Sequence, residues 1–197
     1  MITKFTGSKP RFIALVAATL TIAVAACGDF TGVPASLPTV SDSGVVYAIN
    51  GAPPGAPTSL HVFSGSLLAA DANFLFDVAF DIDSAGNVVY RPVATIASGL
   101  ASTHSVGLQT STATFDELQR APGNGYRADT ALVTKPNVLV LVRSQDVNAC
   151  GVSLTGSTLY AKIVVTAIDP TSRQMKVRYT VDPNCGFRSF ASGIPKD

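Results

Sequence analysis

The chain has 197 residues, a formal net charge of +1 and a charged fraction of 14%, against roughly 25% in an ordinary globular protein. That balance excludes the basic excess by which a protein holds nucleic acid or an anionic surface, and the length suits one domain with a real core rather than two. Two histidines and no tryptophan leave little material for acid–base or metal chemistry.

The first element in chain order is an export signal. Lys4, Lys9 and Arg11 precede an apolar run of 15 residues, Phe12 to Ala26, that ends at Val24-Ala25-Ala26-Cys27. A bilayer span needs about 20 apolar residues, so the run is too short for a transmembrane helix and fits a cleaved signal peptide over residues 1–26. It resembles the signal of bacterial lipoproteins, in which the Cys at the position of Cys27 is lipidated and becomes the first residue of the mature chain. The resemblance implies a membrane anchor through Cys27 in the cell envelope, and Gly28, where an Asp would favour the inner membrane, points to the outer one. The signal carries 3 of the 14 basic residues and none of the acidic ones, leaving 11 basic against 13 acidic residues, a formal charge of −2.

Residues 27–43, rich in Gly, Pro and Ser, read as the lipidated Cys and a flexible tether. From Gly44 to residue 197 a single all-β domain is expected, an antiparallel β-sandwich or barrel with at most one short helix. Its patterning has period two. In Asn73 to Asp83 the residues Phe74, Phe76, Val78, Phe80 and Ile82 share one face and Asp77, Asp81 and Asp83 the other, which predicts a half-buried strand with its aspartates in solvent. Asp83-Ser84-Ala85-Gly86-Asn87 then makes a turn into Val88-Val89-Tyr90, with Gly86 at positive φ. Leu159 to Ile168, the turn Asp169-Pro170-Thr171-Ser172, and Met175, Val177, Tyr179 and Val181 form a second hairpin. Val138 to Val142, apolar throughout, reads as a central strand. Shorter strands are expected at Val45–Ile49, Leu60–Phe63, Val93–Ala97 and Val106–Gln109. Thr114 and Glu117 have the spacing of a capping box, enough for a turn or two of helix before Ala121-Pro122-Gly123.

Beyond Cys27 there are two cysteines, Cys150 and Cys185. In an oxidising compartment they are expected to form a disulfide, since neither has the neighbours of a metal or redox site. The run from Asp81 to Gly86 is superficially a calcium loop, but it has Ala85 at a ligand position and Pro92 where a bidentate Glu is needed. No metal is therefore expected. No nucleophile elbow or phosphate-binding loop occurs, and Gly151-Val-Ser153-Leu-Thr-Gly156 has the wrong spacing for one. Lys176, Arg178 and Arg188 read as a solvated strand face, with anion or polysaccharide binding as the alternative.

The order Thr114-Phe115-Asp116, Ala121-Pro122, Gly125-Tyr126, Val138 to Arg143 and Tyr160 to Val165 is similar to the C-terminal half of the HmuY-like haem-binding lipoproteins. That resemblance implies an all-β, lipid-anchored protein that takes haem through side chains such as His. None of the matched residues is itself a ligand, which leaves His61 and His104, by elimination, as a bis-imidazole pair. The leading expectation is a protein that is not an enzyme and carries no cofactor. Its role would be to bind or to build in the envelope, with a partner protein or small ligand still to be named. A haem-binding lipoprotein and a small envelope hydrolase are the alternatives.

Overall fold

The computed structural model describes residues 34–151 and 157–196. Eleven antiparallel strands form two sheets. The larger, in the order β1-β11-β10-β9-β6-β7, contains β1 (Val40–Tyr47), β6 (His104–Ser111), β7 (Arg127–Ala128), β9 (Leu139–Asp146), β10 (Leu159–Asp169) and β11 (Gln174–Asp182). The smaller, in the order β3-β2-β4-β5-β8, contains β2 (Ser59–His61), β3 (Ser66–Leu68), β4 (Val78–Ile82), β5 (Val88–Pro92) and β8 (Leu132–Thr134). The expected all-β sandwich is what forms.

The alternating residues build the layer between the sheets. Phe76, Val78 and Phe80 from one side meet Val140, Val142 and Ile163 from the other, all at most 1% exposed. Phe80 stands edge-on to Tyr90 with ring centroids 5.7 Å apart, a geometry that contributes about 0.5–1.5 kcal/mol beyond burial. Both expected hairpins are present, β4–β5 with Gly86 at φ 78° and β10–β11 with a register shift between Val165 and Ala167. Such a bulge increases the local twist of the strand.

Three expectations need correction. The segment read as tether is ordered well before Gly44: Ser36 and Leu37 give their backbone N–H groups to Asn184 Oδ1, each at 3.0 Å, and β1 pairs with β11 from Val40. Its polar residues mislead because an edge strand has little to bury. Val93–Ala97 is not a strand. Pro92 ends β5, having no N–H for a ladder, and Val93–Ile96 forms a one-turn helix, α1. Where at most one short helix was expected there are two among the described residues: the second, α2 (Val147–Cys150), is capped by Asp146, whose side chain accepts from Asn148 N at 2.8 Å. The capping box forms as expected, with Thr114 N bonded to Glu117 Oε2 at 3.1 Å and Glu117 N to Thr114 Oγ1 at 3.4 Å, and it closes a single turn.

The outer face of the larger sheet is partly covered as well. Leu139, Leu141 and Tyr160 lie under a flap made of residues 115–126 and Phe190, a small second core. Cys150 and Cys185 are disulfide-bonded across 35 residues with Cα atoms 5.7 Å apart.

Candidate functional site

Both sheets converge on one carboxylate. Asp77 stands in the loop entering β4, its N–H donating to Leu60 O and its carbonyl accepting from Val93 N, each at 2.9 Å. Its Oδ2 accepts from Val62 N at 2.6 Å. Its Oδ1 meets His104 Nε2 at 2.9 Å and accepts the hydroxyl of Ser144. His104 opens β6, while Ser144 follows Val140 and Val142 on the inward side of β9. Asp77, His104 and Ser144 are 1%, 6% and 0% exposed.

The surroundings favour the ionised forms of both His104 and Asp77. Burial alone pushes the His104 imidazole down, but the hydrogen bond and negative charge of Asp77, with Asp146 and Asp129 further off, turn the net shift upward. Burial likewise pushes the Asp77 carboxyl up, and the bond and charge of His104, then Ser144 and Val62 N, carry it below its ordinary value. The result is a buried ion pair that ties one sheet to the other.

Residue types alone suggest a Ser-His-Asp triad, but the wiring is different. In a triad the imidazole stands between nucleophile and acid, taking the hydroxyl proton on one nitrogen and holding the acid on the other. Here a single nitrogen, Nε2, faces both Asp77 and, at 3.5 Å, Ser144 Oγ. Ser144 donates its hydroxyl hydrogen bond to the carboxylate rather than to the imidazole, so His104 is not placed as its base.

Asp81 is also buried, contrary to the expectation of a solvated face. Its Oδ1 accepts from Arg173 Nη2 at 2.9 Å, its Oδ2 lies 3.5 Å from Arg91 Nη2, and Asn50 Nδ2 donates to the same oxygen. Arg173 comes from the β10–β11 turn and also reaches Asn50 O and Ile82 O. Asp83 behaves as expected, its carboxylate accepting from Ala85 N, Asn87 N and Asn87 Nδ2 at 2.8–2.9 Å in an Asx-type turn. The three aspartates do not share a solvent face, and among the described residues no group of His, Cys, Asp and Glu is arranged to hold a metal.

His61 and His104 are not brought into contact. His61 Nδ1 is 2.9 Å from Ser64 Oγ, while His104 Nε2 is engaged by Asp77, which leaves that nitrogen no lone pair for iron. Arg178 stacks over the Phe115 ring at 4.3 Å and pairs with Asp116, and Lys176 is exposed. The alternation hides Lys162, which is 3% exposed on the outward side of β10. Its Nζ donates to Phe115 O at 2.6 Å and Leu118 O at 2.8 Å, 4.5 Å from the Phe115 ring centroid. A lone cation inside the apolar run Leu159 to Ile168 is the sequence signal for it. Cys27, with the export signal, and Ser153 lie outside the described residues.

Compared with protein-family models, with curated proteins and with solved structures, the chain matches none.

Proposed function

We propose that the protein is a non-catalytic binding or structural lipoprotein of the bacterial cell envelope, attached through Cys27 to the outer rather than the inner membrane. The attachment rests on the run from Lys4 to Cys27. The role rests on one observation, the wiring of Asp77, His104 and Ser144. The residue types best suited to hydrolysis are spent on fastening two sheets together, with the serine hydroxyl committed to a carboxylate and sealed in the interior. A scaffold so pinned holds its loops and outer faces rigid, which suits recognition.

The test is a fluorophosphonate probe applied to the full-length protein in detergent, followed by peptide mass mapping. No adduct on Ser144 is the expected result. An adduct on Ser144 that disappears in His104→Ala would overturn the reading in favour of a hydrolase. The same sample titrated with haemin should give no Soret band that depends on His61 and His104.

A further inference from the structure

Resting on that reading as a binding protein, we infer that the outer face of the larger sheet carries an oxyanion-binding site built from Arg143, Arg188 and Tyr126, suited to the carboxylate of an acidic sugar or to a phosphate group. Arg143 projects outward from β9, and its guanidinium carbon lies 5.2 Å from the centroid of the Tyr126 ring. Its Nε and the Tyr126 hydroxyl are both buried, and neither has a hydrogen-bond partner among the described residues. A buried guanidinium N–H with no acceptor costs free energy unless something fills its place, because the donor loses water and gains nothing.

The backbone beneath is shaped to admit this arrangement. A Cβ on Gly107 would stand 2.7 Å from Tyr126 Cβ, so glycine is what lets the tyrosine descend onto β6, with Arg143 Nε in ordinary contact 3.8 Å away. Arg188 reaches the same flap from the C-terminal segment, its Nη1 2.8 Å from where a Gly123 Cβ would be. Gln109 is the polar neighbour of the phenol, its Nε2 also donating to Asn124 O at 3.2 Å. Burial first, and the neighbouring Tyr160, push the Tyr126 hydroxyl up to about 12 against the pull of Gln109, Arg143 and Arg188, so at neutral pH it is a donor. Two guanidinium groups and a phenol O–H make a surface rich in donors. A carboxylate or phosphate presenting two oxygens to the guanidinium fork satisfies it. The half-buried Tyr126 ring, edge-on to the buried Tyr160 with centroids 6.1 Å apart, offers an apolar wall to the remainder of the ligand.

The experiment is NMR titration of the isotopically labelled full-length protein with sodium glucuronate and, separately, inorganic phosphate, at constant ionic strength, with sodium chloride as control. One or both anions should move the Tyr126 and Gln109 resonances saturably where chloride does not. Glucuronate alone identifies an acid-sugar site, phosphate alone a phosphate site. Arg143→Ala and Arg188→Ala should each weaken binding about tenfold or more, the effect of one charge-assisted contact, and Arg143→Lys should fail to restore it. If Arg143→Ala does not fold, Arg188→Ala decides the matter from the flap side. Absence of saturable shifts with both anions, or unchanged affinity in a folded Arg188→Ala, overturns the site and leaves the non-catalytic reading intact. Substrate turnover overturns that reading and leaves the site intact.

Discussion

Replacing His104 with leucine keeps most of the side-chain volume and removes the cation from the pin between the sheets. The Asp77 carboxylate then stays behind, its side chain 2% exposed, with Ser144 and Val62 N as its remaining donors. Orphaning one member of a buried ion pair costs about 3–5 kcal/mol, and the two surviving hydrogen bonds place this case near the lower end, about 3 kcal/mol. For a chain of this size, a loss of about 3 kcal/mol lowers the thermal midpoint by roughly 6–12 °C. The cost also depends on pH, and its sign differs on the two sides. The folded-state pKa of His104 is raised from 6.5, so its contribution is fully present below 6.5 and declines as pH rises through the folded value. The folded-state pKa of Asp77 is lowered from 3.8, so its contribution is present above 3.8 and declines as pH falls through the folded value. The difference between wild type and variant is therefore largest from about pH 4 to about pH 6.5 and shrinks on either side. Urea unfolding of the disulfide-intact proteins across that range measures it, and adding Asp77→Asn to the leucine variant should recover part of the loss. A difference below about 1 kcal/mol that stays flat from about pH 5 to about pH 9 would refute the ion-pair account.

Reducing the Cys150–Cys185 bond, which closes a 35-residue separation, should cost about 4 kcal/mol in the chain-entropy picture. Equal urea midpoints with and without reductant would contradict it. Lys162→Ala deprives the 115–118 turn of its two carbonyl contacts, so limited proteolysis should cut within residues 112–126 faster than in wild type while the larger core keeps its amide protection; unchanged cleavage would show that Phe115 and Phe190 hold the flap unaided. Cys27→Ser should move the protein from the membrane to the soluble fraction, and persistence in the membrane fraction would remove the lipid-anchor proposal.

What could be read from the chain was what neighbouring residues encode. Met175, Val177, Tyr179 and Val181 alternate with polar residues, and that alone places β11, its inward face and its hairpin with β10. The same rule failed at Asp77 and Asp81, because parity along a strand says which side a residue faces but not what lies over that side. The partners that bury them, His104, Ser144 and Arg173, are 27, 67 and 92 residues away, beyond any local window. The first half of β1 was missed for the opposite reason, although its second half was expected from Val45: Ser41, Asp42 and Ser43 are exposed at a sheet edge, so their sequence carries no hydrophobic period. The candidate anion site was legible only as Arg188 within a charged face. Arg143 and Tyr126, which complete it, meet only once the flap has crossed β6 and β9.

The pairing of β1 with β11 also has a bearing on timing. Ser41 and Thr180, hydroxyl to hydroxyl at 2.7 Å, are 139 residues apart, so the first strand to leave a ribosome or a translocation pore is among the last to find its place. Until the final segment has emerged, the larger sheet has an open margin and Asn184 is not there to clasp Ser36 and Leu37. Completion by so distant a partner slows folding, and it leaves the larger sheet unfinished until the two ends of the domain have met.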